Sequence, residues 1–310
     1  MQRWARAAPS KCYSPLMDRS SVAVESRDSP LGRWTVARWS PESSTPLFGF
    51  VERIWYFDGA MTHPKERVFP DGVAELVLML DEPHRDGDSA ALTRFPSICI
   101  NGLRTRPSVV VAPPGRCRVL GIGFTPLGAS KFLRSTMKEL VDVTVDLRDA
   151  IGNASNELGE RCATAAALST WNAARNAVAI VHTAAEWTTR RAGGRTQDAT
   201  LQYALRAIRE TQGTISLDRL GSALNLSRSQ FAQRFRDGTG LTPKRFARIV
   251  RFHNALSLLA KNAEIASVAA ELGYYDQSHM YRDFEEFGRI TPREFQPANR
   301  YPGSASLAEP

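Results

Sequence analysis

Nothing in this 310-residue chain limits its fold more than a unit that occurs twice in the last hundred residues. Each copy runs through a short segment of small and apolar residues, a polar segment, two apolar side chains four residues apart, and a Thr-Pro dipeptide. The copies are residues 220–246 and 268–295. Leu224 and Leu272 lie 48 residues apart before the turn, and the spacing after the turn is 49, so the second turn holds one extra residue. This repetition predicts two equivalent helical units.

Each copy contains the parts of a helix-turn-helix unit. Small side chains in the first helix, such as Gly221 and Ala269, allow a second helix to pack closely across it. The turns fall at Asn225 and Gly273, residue types that tolerate a left-handed backbone. The pattern predicts a short helix, a tight turn and a second helix in each copy.

Polar residues start the second helix of each copy. Ser227 with Gln230 fits a capping box, and Asp276 is a favourable N-cap. Apolar side chains at spacing i, i+4 then define a buried face; these are Phe231 with Phe235 and Met280 with Phe284. Thr242 and Thr291 each precede a proline, which suits the first turn of a helix. Residues 243–260, which begin at the end of the first copy and lead toward the second, predict a rigid linking helix.

These motifs resemble the C-terminal domain of the AraC/XylS family. The resemblance covers about a third of the chain, and its most recognisable stretch is matched by Gly273-Tyr274, Asp276-Gln277-Ser278, Arg282, Phe284 and Thr291-Pro292. It implies an all-α domain with two helix-turn-helix units in a transcription regulator that binds double-stranded DNA. The chain departs from the family at Met280, where phenylalanine is common, at Arg289, where glycine is common, and at Glu285 and Glu286, where basic residues are common.

The resemblance also implies which side chains contact DNA. Helices over residues 228–237 and 277–287 would enter successive major grooves, about 34 Å apart on one face of the duplex. Arginine suits guanine and glutamine suits adenine. The base-edge candidates are Arg228, Gln230, Gln233 and Arg234 in the first helix and Gln277, His279, Tyr281 and Arg282 in the second. The phosphate candidates are Ser227, Arg236, Lys244 and Arg245. The alternative is that these side chains form an ordinary solvated helix face.

Charge is divided unevenly between the two units. The whole chain carries a formal net charge of +8. Residues 198–251 contain ten basic and four acidic residues, whereas residues 252–298 contain four basic and seven acidic residues. Because phosphate neutralisation dominates affinity for DNA, the first unit should carry most of the binding.

The N-terminal half has a different pattern. Short apolar runs bounded by Gly, Pro and Asp between about residues 47 and 124 predict β-strands. Residues 68–76, 101–102 and 121–129 resemble the N-terminal domain of a poorly characterised subset of these regulators, which implies a cupin-like sensor barrel. A small barrel can hold one ligand, and the candidate residues for an effector pocket are Trp55, Phe57, Phe69 and Met79. The alternative is that these four side chains are simply core.

The predicted fold class is therefore α+β. Residues 1–45 are predicted as a flexible leader, residues 46–192 as a β-rich cupin-like barrel with trailing helices, residues 198–297 as the DNA-binding domain, and residues 298–310 as a tail. The helices over residues 154–190 suit either a dimer interface or a relay between the domains. A small-molecule effector, RNA polymerase and a second copy of the chain are candidate partners besides DNA.

Other features argue against several classes of protein. The four cysteines are scattered with no metal-ligand spacing, and neither a signal peptide nor an apolar run long enough for a bilayer is recognisable. We therefore expect a cytoplasmic protein that is not an enzyme and has no metal and no cofactor. Two alternatives stay open: a DNA-repair alkyltransferase with a similar helical domain, which would need an activated cysteine, and an interaction module with reduced DNA binding.

Overall fold

The computed structural model describes residues 21–63, 65–133, 136–168, 172–192, 198–295 and 306–309. Two antiparallel sheets and a set of helices occupy residues 21–192, which we call the sheet domain. Six helices occupy residues 198–295, which we call the helical domain. This division confirms the predicted α+β class.

The larger sheet has seven strands. They are β1 (Ala23–Ser29), β2 (Gly32–Trp39), β3 (Val51–Met61), β5 (Ala74–Met79), β7 (Ile98–Asn101), β9 (Arg116–Phe124) and β10 (Thr144–Asp146), in the order β1-β2-β3-β9-β5-β7-β10. Alternation along a strand sends successive side chains to opposite faces. In β3, Ile54 and Tyr56 enter the main core, whereas Trp55 and Phe57 line a cavity on the other face.

The smaller sheet covers that other face with four short strands. They are β4 (Lys65–Val68), β6 (Arg85–Asp86), β8 (Ser108–Val111) and β11 (Ser306–Glu309), in the order β11-β4-β8-β6. The segment predicted as a C-terminal tail thus supplies β11, which pairs with β4 of the sheet domain.

The expected closed barrel is not formed. In the described residues the strands divide into two separate sheets, and β1 and β10 at the ends of the larger sheet each have one strand partner. The prediction of a β-rich domain was right, and the prediction of a closed barrel was wrong. The sequence of a short strand shows its alternation but does not show which strands at the ends of a sheet pair with each other.

The predicted leader is also corrected. Residues 23–39, placed in a flexible segment because of their proline and serine content, form β1 and β2. Trp34 and Trp39 of β2 are buried, so this hairpin belongs to the folded domain. Residues 1–20 lie outside the described residues.

Helices cover the back of the larger sheet. They are α1 (Pro126–Leu133), α2 (Leu147–Ile151), α3 (Ala154–Leu168) and α4 (Ala173–Ala192), with a 3₁₀ turn at Met137–Leu140. Helix α4 packs on β2 and β3, and α3 packs on α4. Trp187 of α4 is fully buried, with its ring 5.6 Å from that of Phe132 in α1. The inner face of α4 therefore packs against the larger sheet.

The helical domain has the predicted order of elements. Its helices are α5 (Ala199–Glu210), α6 (Leu217–Ala223), α7 (Arg228–Thr239), α8 (Pro243–Leu259), α9 (Ile265–Glu271) and α10 (Gln277–Gly288). Helices α6 and α7 form the first helix-turn-helix unit, α9 and α10 form the second, and α8 links them. Phe246, Ile249, Phe252 and Leu256 of α8 are buried along one stripe that contacts both units.

One hydrophobic core runs through both domains. The segment between β4 and β5 packs against α8, where the ring of Phe69 meets that of Phe252 edge-on at 5.8 Å. Arg209 of α5 donates from Nη2 to the Gly72 carbonyl at 2.8 Å and pairs through Nε with Glu52 at 3.0 Å. The two domains are thus joined by packing and by hydrogen bonds.

Candidate DNA-binding surface and ligand cavity

Local sequence explains the geometry of the first unit. Asn225 takes the left-handed conformation in the turn, with φ of 55°. Ser227 and Gln230 form the predicted capping box at the start of α7. The rings of Phe231 and Phe235 are buried 5.8 Å apart and hold α7 in the core. The polar face of α7 is consequently left outward.

The second unit follows the same plan with one difference. Gly273 has φ of 62°, and the Asp276 carboxylate accepts a hydrogen bond from the His279 backbone at 2.7 Å, capping α10. Met280 and Phe284 are completely buried. The extra residue in this turn is Tyr275, which is 94% exposed and precedes the first turn of α10.

All four base-edge candidates of α7 are exposed, and each has a partner within the chain. Arg228 pairs with Asp218 through two hydrogen bonds of 2.9 and 2.6 Å, and Arg234 pairs with Asp198 through two of 3.0 Å. The side-chain amide of Gln233 donates to Asp237 at 2.8 Å. The side-chain oxygen of Gln230 accepts from the backbone N–H of Ser227 at 2.9 Å. Exposed ion pairs of this kind contribute about 0 to 1 kcal/mol, so DNA could displace them at little cost.

The candidates in α10 divide into two groups. Gln277 and Arg282 are exposed, whereas His279 and Tyr281 are half-buried. The His279 ring lies edge-on against buried Tyr274, with centroids 5.4 Å apart. The predicted face is therefore present, although its middle residues also pack against the domain.

Of the phosphate candidates, Ser227, Arg236 and Lys244 are exposed. Arg245 is half-buried, and its Nη2 lies 3.4 Å from a carboxylate oxygen of Glu286. Arg245 thus faces α10 as well as solvent.

Sequence reasoning overlooked Arg248, which explains part of the acidity of α10. Its guanidinium lies 2.6 Å from Asp283, which is fully enclosed, and 2.5 Å from Glu286. Burial raises the pKa of the Asp283 carboxyl, and Arg248 acts against that shift. Two of the seven acidic residues within residues 252–298, Asp283 and Glu286, therefore pair with a cation of α8.

A groove runs between α7 and the sheet domain. Gln230, Gln233 and Arg234 line one side, and Lys131 of α1 lines the other. At the end of α7, Gly240 approaches the Met137 carbonyl so closely that a Cβ would lie 2.8 Å from its oxygen. The sheet domain therefore borders α7.

The four effector-pocket candidates meet in a single cavity. Trp55, Phe57, Phe69 and Met79 all line a space of about 200 Å³ between the two sheets. The walls are mainly apolar, with charged side chains at intervals. Phe69 lines this cavity and also contacts α8, so the cavity wall and the domain interface share a residue.

A polar cluster forms one side of the cavity. Arg53 lies 2.6 Å from Asp71 and 3.3 Å from Glu75, and the Trp55 indole donates to Glu75 at 2.8 Å. Burial would raise the pKa of Asp71, but Arg53 and His253 outweigh it and hold that pKa below its ordinary value. His253 belongs to α8, so the charge of the helical domain acts on this cluster.

The three cysteines within the described residues show no sign of activation. Cys99, Cys117 and Cys162 are buried, and burial raises the pKa of each thiol, to about 12 for Cys99 and Cys162. Cys12 lies outside the described residues. Across the described ranges, His, Cys, Asp and Glu form no group of three or more suited to a metal ion. The helices in those ranges include none with the length and apolar character to cross a bilayer.

Comparisons with known proteins concern both halves of the chain. Residues 220–298 match the family model described as a helix-turn-helix domain. Residues 41–146 match a family described as a domain of unknown function. Together the two matches leave residues 147–219 between them, which include α2, α3, α4 and α5.

Two curated relatives align with the chain over 102 residues. One is an uncharacterized HTH-type transcriptional regulator of Haemophilus influenzae, at 28% identity, and the other is the HTH-type transcriptional regulator MtrA of Neisseria gonorrhoeae, at 26%. Each alignment covers 32% of this chain and 34% of the relative. The chain thus spans about a third of the length of these relatives.

Solved structures are more distantly similar. ToxT of Vibrio cholerae with a bound unsaturated fatty acid aligns at 13% identity and a TM-score of 0.41, covering 77% of this chain and 92% of ToxT. The AraC-like transcriptional activator CuxR aligns at 14% identity and a TM-score of 0.30, covering 81% of this chain and 91% of CuxR.

Proposed function

We propose that this chain, whose C-terminal residues are a helix-turn-helix domain of the AraC type, is a sequence-specific DNA-binding transcription regulator. In this proposal α7 and α10 read base edges in successive major grooves, about one helical turn apart. A small effector bound by the sheet domain controls the regulator.

The observation that carries the proposal is the outward polar face of α7. Arg228, Gln230, Gln233 and Arg234 are exposed on a helix whose opposite face is fixed by two buried phenylalanines. Asp218, which holds Arg228, is exposed, and Asp198, which holds Arg234, is half-buried, so phosphate or base acceptors can reach and replace both carboxylates. Arginine and glutamine are the side chains best suited to bidentate contacts with guanine and adenine.

The first unit carries most of the phosphate binding in this proposal. Arg236 and Lys244 are exposed cations beside the reading face. In the second unit Arg282 stands near exposed Glu285, whereas Glu286 is held by Arg248. Because Glu286 and Asp283 are neutralised internally, the acidic composition of α10 does not favour the alternative of an interaction module without DNA binding.

We infer that the protein is not an enzyme. The alkyltransferase alternative needs an activated thiol, and the three described cysteines are buried with raised pKa values. Effector control is supported by the shared position of Phe69 in the cavity wall and on α8. RNA polymerase and a second copy of the chain are still partners that only the sequence predicts.

The proposal is tested by selecting binding sites from random duplex DNA with the full chain. We expect an enriched motif with two sub-sites whose centres are about 10 base pairs apart. Arg234→Ala should weaken binding to that motif by roughly tenfold to a hundredfold, which corresponds to the loss of a bidentate base contact of about 1 to 3 kcal/mol. Fluorescence anisotropy at fixed salt measures the change.

Arg206→Ala is the matched control, because Arg206 pairs with Glu210 on the exposed face of α5. Its affinity should equal that of the wild type, and circular dichroism should show both variants folded. The absence of any enriched motif, or equal binding of the wild type and Arg234→Ala, would refute the assignment of α7.

A further inference from the structure

The cavity between the sheets is lined by an arginine, Arg104, that forms no ion pair with any carboxylate of the described residues. Arg104 follows β7 and lines the cavity, and its Nη2 donates to the Asn101 side-chain oxygen at 3.1 Å. Among the described residues no carboxylate oxygen lies within the 4.0 Å of an ion pair with Arg104. Burial lowers the pKa of this guanidinium and outweighs the nearby carboxylates, among which Asp142 acts most strongly in the opposite direction.

The other two arginines that line the cavity are paired. Arg53 holds Asp71 and Glu75, and Arg38 lies 3.5 Å from Glu25. Three acidic residues line the cavity. Arg53 pairs with two of them, Asp71 and Glu75, and the third, Glu66, lies on β4 in the smaller sheet. A guanidinium has five donors, and one neutral acceptor leaves most of those of Arg104 without a partner among the described residues.

The remaining walls suit a compact apolar body. Met79, Cys99 and Val119 form a buried cluster with Trp55, Val77 and Phe95, and all six line the cavity. A cavity of about 150 Å³ with apolar walls accepts a benzene ring. The cavity of about 200 Å³ therefore has room for roughly one ring with a small substituent.

We propose that this cavity binds a monocarboxylate with a compact apolar body of about one ring, whose carboxylate pairs with Arg104. Arginine and carboxylate form paired, charge-assisted hydrogen bonds, which are the strongest available to such a ligand in a low-dielectric site. The ring lies against Trp55, Met79 and Phe95. This inference names the chemical class of the effector in the proposed function and depends on that function only for its regulatory meaning.

The test compares three compounds with one apolar body and different charges: phenylacetate, phenylacetamide and phenethylamine. Isothermal titration calorimetry with the full chain should show phenylacetate binding at least tenfold more tightly than the neutral amide or the cation. Arg104→Met should remove this preference, and Arg104→Lys should keep part of it. Arg106→Met is the control, because Arg106 is exposed two residues away.

A thermal unfolding measurement without ligand separates a binding role from a structural one. Arg104→Met should leave the midpoint unchanged or raise it, since the substitution removes an incompletely neutralised buried charge. The proposal is overturned if no carboxylate binding is detected at millimolar concentration, if the amide or amine binds equally well, or if Arg104→Met binds phenylacetate as the wild type does. These outcomes leave duplex DNA binding untouched, so they are distinct from a failure of the proposed function.

Discussion

Two side chains, Arg248 of α8 and Asp283 of α10, join these helices through an ion pair whose carboxylate is enclosed. Asp283 is fully enclosed, and Arg248 supplies its only cation within ion-pair distance among the described residues. Breaking a buried pair by removing one partner is far more costly than replacing both with apolar side chains, because the remaining charge is left without compensation.

We therefore expect Arg248→Met to lower the free energy of unfolding by about 3 kcal/mol, and the double variant Arg248→Met, Asp283→Leu to recover most of the loss. Denaturant unfolding of the full chain measures both. The exposed pair of Arg206 and Glu210 provides the comparison, since Arg206→Met should change stability by less than about 0.5 kcal/mol. Equal losses in the single and double variants would contradict the assignment.

At the level of elements, the equivalent helices α7 and α10 end in different ways. Gly240 ends α7 with φ of 82°, and Arg289 ends α10 with φ of 50°. Glycine stands one residue earlier in the second copy because Gly288 packs against Phe252, where a Cβ would lie 3.2 Å from the ring. The left-handed position is thus left to an arginine, for which this conformation is unfavourable.

Two matched substitutions at these helix ends should change the stability of the protein in opposite directions. Arg289→Gly should stabilise the protein by about 0.5 to 1 kcal/mol, because relief of the left-handed strain exceeds the extra entropy of glycine in the unfolded chain. Gly240→Ala should destabilise it by about 2 kcal/mol, because strain is added and the new Cβ meets Met137. Chemical denaturation of both variants checks the signs. Stabilisation by Gly240→Ala would contradict this account of the helix ends.

These elements also show what sequence could predict. The capping box at Ser227 and the N-cap at Asp276 are local signals, and the structure places both as expected. The hairpin of β1 and β2 was missed because its stability comes from pairing with β3 and burial of Trp34 and Trp39, which composition does not reveal. Contacts between residues distant in sequence, such as the ion pair of Arg248 and Asp283, were not predictable either. The position of Phe69, which lines the cavity and also packs on α8, was missed for the same reason.

For the whole molecule, one continuous core joins the two domains, and we expect it to make them unfold together. Phe69 packs on Phe252, and Gly72 lies so near Phe246 that a Cβ would stand 3.0 Å from the ring. Arg209 donates to the Gly72 carbonyl from the helical domain. The same segment lines the cavity through Phe69 and Asp71, so the proposed ligand would contact residues of the joint between the domains.

Calorimetry of the full chain should accordingly show one unfolding transition, with equal calorimetric and van 't Hoff enthalpies. Gly72→Val should separate it into two, because φ of 75° is unfavourable for valine and its side chain would push Phe246 and α8 away from the sheets. Gly115→Val is the control: its φ of 90° imposes similar strain, but no atom lies within 4 Å of an added Cβ, so it should lower the midpoint without dividing the transition. If the wild type already unfolds in two steps, the domains are independent and a cavity ligand has no packed route to the reading helices.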